Sequence, residues 1–352
     1  MEKQEKKINV LIVDDSAFMR NAISSMISSD PEINVIGIAR DGIEAVEKVA
    51  ALKPDIVTLD VEMPRMDGLE ALRRIMAENP VPVLMVSSLT TDGAKATLDA
   101  LDIGAVDFIS KNLSDYSISI VKIKDILIEK IKGISRKKPA LKKQDHSLKP
   151  LSMPKPTEYT SHRKTAIVAI GTSTGGPRAL QQIICRIPKD FPVPILIAQH
   201  MPQAFTGPFA ERLDQLSEIK VKEAEHGEPI LKGVVYIAPG RGHMGLTRTK
   251  VTETLIKISE HRTEYIYKPS VDELLLSTVE CFFGHVLGVV LTGLGNDGTR
   301  GMKEIKNKGG RTIVESEETC VVFGMPRSVI EAGAADKILP INEIAGEIIN
   351  SV

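Results

Sequence analysis

One serine of the chain lies in a glycine-rich turn that could expose it as a nucleophile. Ser173 is the third residue of GTSTGG (171–176), which follows an apolar run and precedes a helix predicted from Pro177. In turns of the form G-x-S-x-G the glycines permit a sharp strand-to-helix turn that exposes the serine Oγ. The N-terminus of the following helix also favours developing negative charge. Turns of this kind bind phosphates or nucleotides as well, so the motif by itself leaves both chemistries open.

A base and an acid for this serine stand at the ends of two other apolar runs. His200 closes PILIAQH, and Asp297 follows HVLGVVLTG. Because functional groups gather at the carboxyl ends of parallel strands, His200 could take the proton of Ser173 while Asp297 orients the imidazole. The chain order Ser-His-Asp differs from the Ser-Asp/Glu-His order of α/β-hydrolases and indicates an independent origin. We therefore predict that Ser173, His200 and Asp297 form a catalytic triad for ester hydrolysis.

The loop that carries Asp297 also matches a dinucleotide-binding fingerprint. GLGNDG (293–298) satisfies G-x-G-x-x-G, follows a strand and opens a helix, and Glu315 ends the next strand. Against this interpretation, Asp297 would place a negative charge in the turn that should hold a pyrophosphate, and Ser173 and His200 would have no role. Ester hydrolysis is favoured, and an inactive or nucleotide-binding domain is the alternative.

A second group of polar residues lies at strand ends in the first third of the chain. Asp14 and Asp15 follow the first predicted strand, and Asp60 ends the third. These strands are neighbours in a doubly wound sheet, so the three carboxylates converge into a site whose oxygen ligands suit Mg²⁺. Ser87 ends the fourth strand and Lys111 follows the fifth, where they could hold a phosphoryl group on Asp60. Single acids after strands are common helix caps, so Asp14 or Asp15 could instead cap the next helix.

The strands and helices that position the polar residues in the first third of the chain form an alternating α/β pattern. Short apolar runs predict five buried parallel strands: INVLIV, INVIGIA, DIVTLD, VPVLMVS and VDFIS. Apolar residues at helical spacing predict helices between them, at 16–28, 42–52, 67–78 and 91–101. We predict a doubly wound α/β domain with a five-stranded parallel sheet over residues 1–132.

A change of composition predicts a linker and then a second domain. Residues 133–164 carry nine Lys or Arg against two Asp or Glu, with four prolines and few apolar residues. Such a segment cannot bury a core. From 165 to 352 the strand and helix patterns resume, with a strand-rich middle. We predict a larger Rossmann-like α/β domain whose sheet is mostly parallel.

Bulk composition excludes several classes of partner. The 352-residue chain has a net charge of −1 and 4% aromatic residues with no Trp, which argues against nucleic-acid binding. Three widely spaced cysteines, Cys185, Cys281 and Cys320, indicate neither a metal site nor a disulfide framework. No apolar run is long enough to span a bilayer. We expect a cytoplasmic protein without direct membrane insertion.

The first domain resembles a response-regulator receiver. The resemblance covers the whole domain and rests on the paired acids after the first strand, TLDVEMPRMDGLE around Asp60, Ser87 and Lys111. It implies that Asp60 accepts a phosphoryl group with Mg²⁺ bound, and that Ser87, Phe108 and Lys111 respond to it. Receivers usually carry Pro after the lysine, where this chain has Asn112. A cis bond before a non-proline residue costs about 3 kcal/mol, so we expect a trans bond there.

The second domain resembles a CheB-type chemotaxis methylesterase. GTSTGG, AQHMP, YIAPG, KPSVDELL and TGLGNDG occur in that order behind the receiver and linker. The resemblance implies that Ser173 attacks glutamate γ-methyl esters on methyl-accepting chemotaxis receptors, and that receptor glutamines are deamidated by the same route. Thr174 matches a position whose hydroxyl supports the histidine. Leu294 stands where the family usually has Met, and its backbone N–H would serve an oxyanion hole. No cofactor is expected for the hydrolysis.

The resemblance also implies a mode of regulation. The unphosphorylated receiver would obstruct Ser173, and phosphorylation of Asp60 by a CheA-type histidine kinase would release it. Two alternatives remain from the residues themselves. One is a phosphorylation-controlled binding module whose second domain is inactive or binds a nucleotide. The other is a serine hydrolase that acts on other esters.

Overall fold

The chain divides into two compact units, residues 1–144 and 145–352. A computed structural model describes residues 7–88, 90–111, 120–136, 164–250, 253–260, 265 and 267–352. Asn112 and most of the predicted linker lie outside the described residues. The domain limits predicted at 132 and 165 therefore stay predictions. Among the helices that the structure describes, none combines the length and the apolar character needed to cross a membrane.

The first unit is a five-stranded parallel sheet, as predicted. Its elements are β1 Ile8–Val13, α1 Ala17–Ile27, β2 Ile33–Ala39, α2 Gly42–Leu52, β3 Ile56–Asp60, α3 Gly68–Glu78, β4 Val83–Ser87, α4 Thr91–Ile103, β5 Asp107–Ser110 and α5 Ile120–Arg136. The strand order is β2-β1-β3-β4-β5, so β1 and β3 are neighbours. Every residue of β3 and β4 is buried, which is why these strands are continuous apolar runs rather than alternating ones.

Two local details of the first unit concern the ends of its helices. Helix α1 is capped by Ser16, whose hydroxyl accepts a hydrogen bond from the backbone N of Met19, and not by Asp14 or Asp15. Asp14 instead accepts from the backbone N of Ser16. Helix α5 runs to Arg136, past the predicted end of the domain at residue 132. It continues because its apolar face does, with buried residues at Ile123, Leu127, Ile131 and Ile134.

The second unit is built on a seven-stranded parallel sheet. Its elements are β6 Ile167–Thr172, α6 Gly176–Ile184, β7 Ile195–Gln199, α7 Gln203–Leu216, β8 Lys220–Glu223, β9 Val234–Ile237, β10 His243–Lys250, β11 Glu253–Ser259, α8 Val271–Phe282, a 3₁₀ turn Phe283–His285, β12 Val286–Val290, α9 Thr299–Asn307, β13 Arg311–Glu315, α10 Met325–Glu331, β14 Lys337–Leu339 and α11 Ile341–Asn350. The order is β14-β13-β12-β6-β7-β9-β8, and β10 and β11 form a separate antiparallel hairpin.

The helices of the second unit pack in two groups. Helix α8 contacts α9 and the hairpin strand β10, whereas α6 contacts α7 and α11. The core lies between the sheet and α8, whose residues Val271, Leu274 and Leu275 are fully buried. The predicted C-terminal helical region consists of α10 and α11 with the short edge strand β14 between them. The mostly parallel sheet is confirmed.

Candidate active site

The three predicted triad residues follow three adjacent central strands of the second sheet. Ser173 comes directly after β6, His200 directly after β7, and Asp297 lies in the loop between β12 and α9. Strand β6 pairs with β7 on one side and β12 on the other. The strand order reverses between β6 and β12, and ligands bind at such switch points, beyond the carboxyl ends of the strands. The fold therefore brings the three residues to one crevice.

The turn that carries Ser173 depends on the two glycines that follow it. Gly175 has φ +79°, a left-handed conformation that a side chain would strain. The turn is closed by a 2.8 Å hydrogen bond from the backbone N of Gly176 to the carbonyl of Ser173. The backbone N of Ser173 donates to the carbonyl of Thr292 at 3.0 Å. Ser173 is 8% exposed, so its side chain can be reached only from the crevice.

Asp297 is held by four hydrogen bonds, most of them from the start of helix α8. The Oδ1 atom accepts from the Ser270 hydroxyl at 3.1 Å and the Asp272 backbone N at 2.8 Å. The Oδ2 atom accepts from the Val271 backbone N at 2.8 Å and contacts His200 Nε2 at 2.9 Å. Burial by itself raises the pKa of Asp297, but the contacts with His200 and with these backbone groups outweigh it and hold the pKa below its usual range. Asp297 is therefore an ionised acceptor.

This acceptor determines the tautomer of the histidine. Since Asp297 is a carboxylate, His200 must donate from Nε2, which leaves Nδ1 as the nitrogen that can take a proton. His200 Nδ1 is buried and makes no hydrogen bond, so the structure shows no direct bond between Ser173 and the imidazole. Catalytic hydrogen bonds are often long before substrate is bound and tighten in the reacting complex. Nδ1 is therefore the nitrogen of His200 that is available as a proton acceptor, and its transfer partner stays a prediction.

An aromatic ring that the sequence analysis missed fixes the plane of the imidazole. Tyr267 stacks on His200 with a centroid distance of 4.5 Å and an interplanar angle of 14°. Tyr267 lies before α8 and directly precedes the KPSVDELL segment, but it is not part of that motif and no periodic pattern pointed to this role. Stacking limits rotation of the His200 ring about its own bond, so the nitrogen that faces Asp297 stays there.

Gln199 is a second residue that the sequence analysis missed. Its Nε2 donates to the carbonyl of Ser173 at 3.0 Å and to the carbonyl of His200 at 3.0 Å. A Cβ on Gly176 would lie 2.0 Å from Gln199 Oε1, so the turn closes directly over this side chain. Gln199 is 2% exposed. The signal that could have found it is a polar residue at the end of an otherwise apolar, fully buried strand.

Thr292 ties the loop after β12 to the serine turn. Its Oγ1 donates to the carbonyl of Thr174 at 2.9 Å and accepts from the backbone N of Val322 at 3.0 Å. Its backbone N donates to Glu315 Oε2 at 2.8 Å. Glu315 is buried and also accepts a hydrogen bond from the Thr319 hydroxyl. Its carboxylate oxygens therefore bond to the protein and not to the ribose of a dinucleotide. With Asp297 holding the start of α8, the dinucleotide interpretation has no structural support.

The two residues predicted to support the oxyanion lie beside Ser173. Thr174 follows it and is 1% exposed. Leu294 is half-buried and follows Gly293, where an added Cβ would lie 2.8 Å from Ser173 Cβ and 2.4 Å from Met325 Sδ. Only glycine allows this close approach of the loop to the nucleophile turn. The roles predicted for the Thr174 hydroxyl and the Leu294 backbone N–H stay predictions.

The first unit contains the predicted carboxylate cluster. Asp14, Asp15 and Asp60 each offer an oxygen, and these oxygens lie within 4.8 Å of one another. Lys111 Nζ lies 2.5 Å from Asp60 Oδ2 and 3.1 Å from Asp14 Oδ2. Three carboxylate oxygens at this spacing are hard ligands that fit a small divalent cation.

Burial sets the electrostatics of this receiver pocket. Burial, together with the nearby charge of Asp14, raises the pKa of Asp60 to about 6 against the lowering effect of Lys111. Burial alone lowers the pKa of Lys111, but its contacts with Asp60 and Asp14 raise it above the ordinary lysine value. The lysine is therefore a permanent positive charge beside the carboxyl group, as phosphoryl stabilisation requires.

The two other residues predicted to respond to phosphorylation are buried. Ser87 is fully buried, and its hydroxyl accepts from the Thr97 hydroxyl at 2.7 Å and lies 3.3 Å from the carbonyl of Gly93. It is thus bonded to helix α4. Phe108 is buried on β5 opposite Met85. A role of Ser87 in holding a phosphoryl group would require its hydroxyl to leave α4.

Two family models match the chain. The model described as CheB methylesterase matches residues 168–348, and the model described as response regulator receiver domain matches residues 10–120. The first match falls on the unit that contains Ser173, His200 and Asp297. The second falls on the unit that contains the carboxylate cluster.

Curated relatives are similar over nearly the whole chain. A protein from Oleidesulfovibrio alaskensis named protein-glutamate methylesterase/protein-glutamine glutaminase 1 is 48% identical over 98% of this chain and 99% of its own length. A protein of the same name from Geobacter sulfurreducens is 46% identical over 99% of this chain and 98% of its own. The crystal structure of the Thermotoga maritima CheB methylesterase catalytic domain is 46% identical, with a TM-score of 0.52, and covers 54% of this chain and 100% of that one. These matches do not support an inactive or nucleotide-binding second domain.

Proposed function

The chain belongs to the CheB methylesterase family, and from this premise we propose that it removes γ-methyl groups from glutamates of chemotaxis receptors under the control of receiver phosphorylation. The observation that carries the proposal is the convergence of Ser173, His200 and Asp297 at adjacent strand ends, with the 2.9 Å contact between His200 and Asp297. The receiver unit on the same chain supports the regulatory part.

Each triad residue has one task in the proposed reaction. Ser173 Oγ attacks the ester carbonyl while His200 Nδ1 takes its proton, and Asp297 stabilises the resulting imidazolium. His200 then returns the proton to the departing methoxy group, so that methanol leaves and an acyl-enzyme remains. Water activated by His200 hydrolyses this acyl group and regenerates Ser173. Backbone N–H groups beside Ser173, that of Leu294 among them, and the α6 N-terminus support the oxyanion.

The same acyl-enzyme accounts for glutamine deamidation. If the substrate is a γ-carboxamide, His200 protonates the departing nitrogen and ammonia leaves in place of methanol. The second half of the reaction is then identical, because the acyl group on Ser173 is the same. We propose both activities for this one site, as the names of the relatives combine them.

The receiver is proposed to take its phosphoryl group from a CheA-type histidine kinase. Asp60 is the acceptor, and Asp14, Asp15 and Asp60 would hold Mg²⁺, which supplies charge neutralisation for the phosphoryl oxygens. Lys111 adds a second positive charge at Asp60. The Ser87 hydroxyl exchanges its α4 partners for the phosphoryl group. The cytoplasmic location expected from the sequence stays a prediction.

Methanol release from methylated receptor membranes tests the proposed function. We expect release by the full chain, faster with a small-molecule phosphodonor and Mg²⁺. Chelation of the metal should remove the increase and leave basal release unchanged, because no residue of the Ser173 crevice requires a cation. Absence of methanol release under all of these conditions would exclude the methylesterase assignment.

Gln199→Leu should lower kcat for methanol release about tenfold to a hundredfold. The substitution deprives the carbonyls of Ser173 and His200 of their shared donor, and small displacements of catalytic groups cost rates of this order. KM should change little, since the side chain is buried beneath the turn.

Gln215→Leu is the matched control, because Gln215 is an exposed glutamine of α7. It should retain wild-type kcat. Equal kinetics for both variants, measured as kcat and KM on the same membranes, would show that Gln199 does not position the site.

A further inference from the structure

We propose that Asp272 is a positioning residue for Asp297, through a reciprocal cap between helices α8 and α9. Asp297 directly precedes Gly298, the N-cap of α9, and accepts the backbone N–H groups of Val271 and Asp272 at the start of α8. Asp272, in turn, lies in the first turn of α8 and accepts the backbone N–H of Gly301 in the first turn of α9 at 2.9 Å. Each helix thus receives its capping carboxylate from the other.

The first turns of α8 and α9 pack so closely that water could not take the place of the Asp272 carboxylate. An added Cβ on Gly301 would lie 2.3 Å from Leu275 Cβ, and one on Gly298 would lie 2.7 Å from Val271 Cγ1. Asp272 is 7% exposed. The carboxylate of Asp272 is therefore a fixed link between the α8 backbone and the loop that carries the triad acid.

The two carboxyl groups also influence each other electrostatically. Burial and the nearby charge of Asp297 raise the pKa of Asp272 above its usual range, against the lowering effects of the Gly301 and Gly298 backbone groups and of Arg300. The charged groups that act on Asp272 are thus Asp297 and Arg300. Asp297 in turn contacts His200. A displacement of the Asp297 carboxylate therefore changes its contact with the imidazole.

Loss of Asp272 has two consequences for the proposed hydrolysis, on which this inference rests. The loop that carries Asp297 keeps its own bonds to the start of α8 but loses the link from Asp272 to Gly301, so Asp297 is held less precisely and kcat falls. The Asp297 carboxylate then contacts the His200 imidazolium less closely, so the acid limb of the kcat/KM profile moves to lower pH. KM is expected to stay within about twofold, because Asp272 is buried away from the crevice. A merely structural role would lower stability and kcat without moving the pH profile.

The test compares Asp272→Ala and Asp272→Asn with Asp336→Asn in the full chain. Asn keeps one oxygen for the Gly301 N–H, whereas Ala keeps none. Asp336 is the matched control: its carboxylate also accepts a backbone N–H, that of Thr312 at 3.0 Å, but at the opposite end of β13 from the crevice. The measurements are kcat, KM and the pH profile of methanol release, together with the downfield NMR resonance of the His200 Nε2 proton.

We expect kcat to fall about a hundredfold in Asp272→Ala and less in Asp272→Asn. The acid limb should lie at lower pH than in wild type in both variants, and be unchanged in Asp336→Asn. Wild-type pH profiles and an unshifted histidine resonance in both Asp272 variants would overturn the proposal. If Asp272→Ala does not fold, the pH profile and the histidine resonance of Asp272→Asn alone test the proposal. If wild type releases no methanol, the proposed function fails, and the histidine resonance still decides the role of Asp272.

Discussion

Ser173→Ala is expected to release methanol from methylated receptor membranes at least about a thousandfold more slowly than wild type. The substitution removes the hydroxyl that attacks the ester in the proposed reaction, and what remains is the weak contribution of binding and the oxyanion donors. The fold should survive, because the contacts that hold Ser173 in its turn are made by its backbone. Its N donates to Thr292, and its carbonyl accepts from Gly176 and Gln199.

Covalent labelling provides an independent measurement of the same prediction. A serine-reactive fluorophosphonate should modify wild type at Ser173 and should not modify Ser173→Ala. Ser217→Ala is a suitable control, since Ser217 caps the end of α7 far along the chain from the turn. Near-normal methanol release by Ser173→Ala, with an unchanged melting temperature, would remove Ser173 from the mechanism.

Asp60→Ala is expected to stay folded, to retain low basal activity, and to show no response to phosphodonor. The acceptor carboxyl is absent in this variant, whereas the catalytic unit is unaltered. Folding should persist because the buried carboxylate of Asp60 is energetically unfavourable in the folded state. Burial and the neighbouring Asp14 raise its pKa to about 6, so its removal relieves electrostatic repulsion. Methanol release with and without phosphodonor and Mg²⁺, together with phosphate incorporation, measures the effect.

The neighbouring loop provides a matched control for this variant. Asp67 is exposed and caps helix α3 through its side chain, and Asn caps equally well. Asp67→Asn should therefore respond to phosphodonor as wild type does. A full phosphodonor response in Asp60→Ala would refute the assignment of Asp60 as the switch. A response lost in both variants would place the effect in the loop and not in the acceptor.

Regulation requires that phosphorylation shift a population. A phosphoryl group on Asp60 can activate the enzyme only if it favours the arrangement in which Ser173 is accessible. Within the receiver, the Ser87 hydroxyl offers a local element for such a shift, because it is bonded to Thr97 and Gly93 of α4. Transfer of this hydroxyl to the phosphoryl group, as proposed above, would break these bonds to α4.

Much of the architecture was predictable from the sequence because it depends on local patterns. Buried parallel strands are continuous apolar runs, and in the first unit their limits agree with the predicted runs to within one or two residues, as for VDFIS and β5. Helix ends were less predictable. Helix α5 continues to Arg136 because its buried apolar residues recur at helical spacing as far as Ile134. The choice of Ser16 as the α1 cap likewise depended on backbone geometry.

The sequence by itself determined which residues stand at strand ends, and hence that Ser173, His200 and Asp297, or Asp14, Asp60 and Lys111, could meet. That much follows because a parallel sheet gathers its strand ends at one edge. Only the tertiary structure decided how they are held. The bond from Gln199 to Ser173 spans 26 residues, and that from His200 to Asp297 spans 97. The reciprocal cap of Asp272 arises in the same way, since it exists only once two helices have packed together. No local pattern encodes such contacts, because they depend on the close packing of distant backbone segments.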